Sequence, residues 1–133
     1  MTLQFNTTLR NTWLDAITTA VSTSGKLRVY DGTPPASAGA ALSGNNLLVD
    51  MPCSATFAAA ASGGVLTVNS ITQTNASATG TATFFRVYNN GATTCYIQGT
   101  VATSGGDATI NTTTITTGGP VVISSFTITA PGA

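Results

Sequence analysis

Thr79-Gly80-Thr81-Ala82-Thr83-Phe84-Phe85-Arg86-Val87-Tyr88-Asn89-Asn90-Gly91 is the stretch on which the fold turns. Thr79–Tyr88 is rich in β-branched and aromatic residues and is the longest strand candidate in the chain. It runs into Asn89-Asn90-Gly91, a two-residue hairpin signal, because Asn and Gly accept the positive φ that such turns demand. Thr93–Ala102 then reads as its antiparallel partner. No helical segment separates the two, so a parallel crossover is not expected.

Working outward, the same grammar recurs. Ser104-Gly105-Gly106-Asp107 and Thr117-Gly118-Gly119-Pro120 are turns, and they bound strands over Ala108–Thr114 and Val121–Ala130. Upstream, Gly63-Gly64 leads into a strand over Val65–Ile71, and Asn46–Met51 is a short apolar strand closed by Pro52. Lys26–Tyr30 alternates and stops at Asp31-Gly32-Thr33-Pro34-Pro35. Phe57–Gly64 is compatible with a helical turn or an irregular crossing. Before Gly25 the period changes. Leu9, Trp13, Ile17 and Ala20-Val21 fall three to four apart, with Leu14 beside the stripe and Arg10 and Asp15 off it. This predicts one helix over about Thr8–Ser22, capped by Thr7 or Thr8 and stopped near Ser24-Gly25. The six residues before it form an arm without a strong pattern. The expectation is a mainly β chain: a single domain over 1–133, an antiparallel β-sandwich of jelly-roll or immunoglobulin-like type, with an N-terminal arm and α-helix over about 1–24.

Composition narrows the function. The chain has no histidine, no glutamate and one lysine, and 6% of its residues are charged, where a soluble domain carries roughly 25%. Groups that move protons near neutral pH are mostly His, Glu and Lys, so the composition argues against an enzyme. Formal net charge is zero, which argues against nucleic acid as a partner and leaves little repulsion between copies. No stretch is long and apolar enough to span a bilayer, and Met1–Asn6 lacks the basic start and apolar core of a secretory signal. Cys53 and Cys95 lie in no metal-ligand spacing, and the expectation is two reduced thiols and no disulfide. No cofactor or metal is expected.

A His-dependent triad is impossible here, no phosphate loop is present, and four aspartates offer poor material for a glycosidase pair. The better candidates are for recognition. Leu27-Arg28-Val29-Tyr30-Asp31 and Phe85-Arg86-Val87-Tyr88-Asn89 echo each other and put Arg and Tyr on one strand face. Arg28, Tyr30, Arg86 and Tyr88 are therefore candidate interface anchors, together with Trp13, since Arg, Tyr and Trp dominate interface hot spots. The plainer alternative pairs each Arg with a nearby Asp. The helix carrying Trp13 either folds back over the sheet or docks on a neighbouring subunit.

Several segments together resemble a family: the helix Leu9–Val21, the turn Tyr30–Ala36, Gly80–Val87, Asn111–Ile115 and Val121–Thr127. They are similar to small virion structural proteins of tailed bacteriophages, over nearly the full length. The resemblance implies a capsid decoration (cement) protein that binds the outer shell in many copies and bridges capsomers. Its implied partners are the major capsid protein and copies of itself, and its implied location is the capsid surface after synthesis in the host cytoplasm. It supplies no catalytic residue. A collar, neck or tail component remains an alternative within the same family, and an adhesive or carbohydrate-binding β-sandwich remains one outside it.

Overall fold

Asn6 sets the start of the helix. Its Oδ1 accepts the Leu9 N–H at 2.8 Å, so the cap lies one residue ahead of the threonines expected to provide it. The computed structural model describes residues 1–133. Helix α1 (Thr7–Val21) ends at Ser22, whose φ of 62° turns the chain left-handed. Gly25 does not stop the helix. It serves a close approach, since a Cβ there would meet the Val21 side chain and lie 2.9 Å from the Tyr88 carbonyl oxygen.

Eleven strands follow: β1 (Lys26–Tyr30), β2 (Leu47–Pro52), β3 (Val65–Thr67), β4 (Thr74–Asn75), β5 (Gly80–Thr81), β6 (Phe84–Tyr88), β7 (Cys95–Ala102), β8 (Ala108–Ile110), β9 (Thr114–Ile115), β10 (Pro120–Val121) and β11 (Ile123–Thr129). Seven of them form one sheet in the order β2-β1-β6-β7-β8-β11-β3, and β10-β4 and β5-β9 form two small ribbons. The large sheet curls. Phe85 of β6 and Phe126 of β11 meet edge to face at 4.9 Å, and Phe57 reaches Phe126 at 6.3 Å, so the two halves of the sheet share one core. Leu27, Val29, Met51 and Val87 enter it from one half, Leu66, Ile110 and Phe126 from the other, and Leu14 and Val21 from α1.

The sheet is mixed, not antiparallel throughout: β7 and β8 run parallel, with Val101 opposite Ala108. Parallel neighbours normally need a long crossover. Here Gly105 at φ 78° and Gly106, where a Cβ would lie 2.7 Å from the Ala102 nitrogen, let the chain loop back within a few residues. Asp107 clamps that loop, its Oδ2 accepting the Thr100 N–H at 2.8 Å.

Two long strand candidates are each broken. Thr79–Tyr88 divides into β5 and β6, because Gly80 and Thr81 pair with β9 while Phe84–Tyr88 pair with β1 and β7. Val121–Ala130 divides at Val122, which donates its N–H to Asn111 Oδ1 at 3.0 Å. The Asn89-Asn90-Gly91 turn is longer than a two-residue hairpin. Asn89 Oδ1 accepts the Thr93 and Thr94 N–H groups, and Ala92, not Gly91, takes the positive φ. Phe57–Gly64 is the irregular crossing. It is pinned to β3 by a bridge between Ser62 and Val65 across Gly63-Gly64, both at positive φ, as a tight hairpin turn requires.

The face that α1 buries is Arg10, Leu14 and Val21, with Ile17 half-buried, rather than the Leu9–Trp13 stripe. Polar side chains decide that rotation. Arg10 Nη2 donates to the Ala130 carbonyl at 2.9 Å, Asn11 Oδ1 accepts the Gly64 N–H at 2.8 Å, and Asp15 Oδ1 accepts the Ala61 N–H at 2.8 Å. Three buried or half-buried backbone groups gain partners this way, and Leu9 and Trp13 are turned outward.

Candidate interaction surface

Strand alternation gives the large sheet a second face, opposite the core. The register sets Asp50, Arg28, Arg86 and Gln98 side by side across β2, β1, β6 and β7. Two arginines directly opposite each other would repel, and each bonds away from the other, although Arg28 Nε and Asp50 Oδ1 are buried without a partner. Arg28 Nη2 bonds Asp50 Oδ2 at 2.9 Å, so this residue follows the plainer alternative of a local ion pair. Burial alone would lower its pKa, but the bond and charge of Asp50 prevail and raise it above the ordinary arginine value.

Arg86 is 3% exposed and does not form a surface anchor. Its Nε donates to Gln98 Oε1 at 2.8 Å, and its Nη2 donates to the carbonyls of Ser37 at 3.1 Å and Ala40 at 2.8 Å. Gln98 Nε2 in turn donates to the Pro35 carbonyl at 2.7 Å. The guanidinium therefore ties the Ala36–Leu42 loop down over the second face. The feet of that loop are fixed by Asp31, whose carboxylate accepts the Asn46 N–H at 2.7 Å and the Asn46 amide at 3.0 Å. Those Asn46 bonds hold the Asp31 carboxyl below its usual range.

Tyr30 and Tyr88 are buried as well, with Phe84, in a small second core that Leu42, Leu47 and Ala92 cover. Their hydroxyls lie 3.3 Å apart, and the Tyr30 ring stacks on Phe84 at 5.3 Å. Burial, reinforced by the Tyr88 hydroxyl, pushes the Tyr30 phenol up. A side chain at 3% or 7% exposure offers a partner almost no area, so of the expected anchors the tyrosines and Arg86 work inside the chain. The signal that separates them from surface residues is the row of small residues at Ala36–Ala41, which lets the loop lie close over the sheet.

Trp13 is the expected anchor that stays outside, at 41% exposure. Phe5 packs edge to face on it at 4.7 Å and is held there by its N–H bond to the Gly132 carbonyl at 2.8 Å. The Phe5 ring lies where a Cβ on Gly132 would be. Leu9, one turn before Trp13 on the same helix face, is exposed too, as are Met1 and Leu3 of the arm. Tyr96 of β7 is exposed too, and no sequence argument had singled it out.

Cys53 and Cys95 are free thiols. Burial pushes Cys53 up to about 11 and raises Cys95, so neither is an activated nucleophile. No group of His, Cys, Asp or Glu is placed to hold a metal ion, and no helix is long and apolar enough to cross a membrane. Comparison with family models, curated proteins and solved structures finds no match to this chain.

Proposed function

We propose that this chain is a non-enzymatic structural protein of a tailed-phage virion, a decoration protein that binds the outer capsid shell in many copies and bridges capsomers. The observation that carries the reading is how the few polar functional groups are used. Arg10, Arg86, Asp15, Asp31 and Asp107 each bond backbone or neighbouring side chains within the fold, and Arg28 is paired with Asp50. What remains outside is a nearly uncharged Thr/Ser surface and a few exposed apolar side chains, Met1, Leu3, Leu9, Trp13 and Tyr96. Such a surface forms hydrogen bonds to a partner without the desolvation cost of burying ions. The segments similar to phage virion proteins give the same reading. The contact of Phe85 with Phe126 across the curled sheet supports a sandwich-type architecture within it.

Imaging of intact particles with this chain labelled tests the proposal. Many copies spread over the shell are expected. A ring of few copies at the portal or tail would favour the collar or tail alternative, and a chain absent from particles would overturn the reading.

A further inference from the structure

The seven-stranded sheet has a split in it. β8 separates β7 from β11, but β8 is only three residues long and pairs with β7 only at Val101 and Ala102. Below that point Tyr96–Gly99 of β7 pairs with β6 on one side and with nothing on the other. Likewise Thr127–Thr129 of β11 pairs with β3 but not on its β8 side. The Thr100 N–H points into the split, to Asp107, and the Val101 N–H points away, to Thr83. Alternation therefore aims the Gln98 backbone groups at the split. On β11 the Phe126 carbonyl points to β3, where it accepts the Val68 N–H, so the backbone groups of Thr127 and Thr129 face the split from the other side. No strand of this chain pairs with Gln98 or Thr129 on the split side. A cleft of about 360 Å³ lies there, floored by Ile17, Phe85, Ile97, Phe126 and Ile128.

We infer that this cleft is a strand-acceptor slot, and that its occupant is the Met1–Gln4 arm of a second copy of the chain. Met1 and Leu3 alternate with Thr2 and Gln4, and Met1 and Leu3 are the most exposed large hydrophobics on the molecule. Laid between β7 and β11, the arm sets Met1 and Leu3 on the apolar floor and Thr2 and Gln4 beside Gln98 and Thr127 on the polar face. The chain's own arm leaves Phe5 within three residues of β11, at Gly132, yet stays out of the cleft, so arm and slot are both unfilled in the single chain. Zero net charge allows two copies to approach without repulsion.

Two cysteine variants, Leu3→Cys and Ile128→Cys, prepared separately and mixed under oxidising conditions, test it in the full-length protein. A disulfide-linked dimer joined at positions 3 and 128 is expected, and Thr2→Cys mixed with Ile128→Cys should give none. In sedimentation, the wild-type chain is expected to self-associate, and Leu3→Asp to weaken association at least about tenfold with an unchanged melting curve. The inference is overturned by a wild-type chain that stays monomeric at about 0.1 mM, by Leu3→Asp associating as wild type, or by mixed Leu3→Cys and Ile128→Cys chains that form no 3–128 link.

Discussion

Arg86 shows how much one side chain carries in a molecule with so few charges. Three hydrogen bonds from one guanidinium join β6 to Gln98 of β7 and to two carbonyls of the covering loop. Arg86→Ala is expected to lower the unfolding free energy by about 2–3 kcal/mol, because charge-assisted bonds are lost and polar groups beneath the loop lose their partner. Chemical denaturation measures it. Arg86→Lys should recover little, since a single ammonium cannot reproduce the planar fork that reaches both loop carbonyls and Gln98. Arg28 is the contrast. Its pair with Asp50 is partly solvated, with side chains 27% and 36% exposed, and a double-mutant cycle on the two should give a coupling of about 0.5–1 kcal/mol. The two residues occupy equivalent places in the sequence echo, and burial alone separates their roles.

At the scale of elements, α1 is held by polar contacts at least as much as by its apolar side chains. Gly64 is the tightest point, because it takes φ 77° and the Arg10 guanidinium occupies the space of its missing Cβ. Gly64→Ala should cost at least about 2 kcal/mol, from the left-handed backbone and the displaced arginine together. Asn6→Ala, which removes only the cap, should cost about 1 kcal/mol, and thermal unfolding of the two variants separates the effects. The helix itself was legible in the sequence because its period is local, and the expected Thr8–Ser22 lies one residue from the observed Thr7–Val21. Its rotation was not legible. Hydrophobicity favoured Leu9 and Trp13 inward, whereas Arg10 faces in because a carbonyl 120 residues away needs a donor. The strands were legible wherever alternation lasted. The breaks at Ala82-Thr83 and Val122 and the parallel β7–β8 pair depend on which distant strand arrives beside them, and no local pattern records that. The same limit applies to the anchors: strand alternation places Arg and Tyr on one face, but a strand pattern does not say that a loop will cover that face.

For the molecule as a whole, the absence of histidine and glutamate predicts an unusual response to pH. No side chain has an ordinary pKa between the aspartates and the thiols, so the unfolding free energy should stay flat from about pH 5 to 8. Cys53 and Tyr30 are both raised by burial. A raised group stabilises the fold below its ordinary pKa and loses that contribution as pH climbs towards the folded value. Stability should therefore fall from about pH 9 upwards, and Cys53→Ala should remove part of the decline. Asp31 is lowered and acts in the opposite sense, its contribution disappearing as pH drops below the ordinary carboxylate range. Urea midpoints measured across pH would show both limbs. The bond from Arg10 to Ala130 has a kinetic meaning as well. Translation, at roughly 5–20 residues per second, makes Ala130 only after 120 further residues have followed Arg10. For several seconds the nascent chain carries a helix whose arginine has nowhere to go, and β11, which joins β8 to β3, is equally late. Chains stalled before Ala130 leave α1 undocked and β8 and β3 unjoined, and they are the aggregation-prone species of this protein.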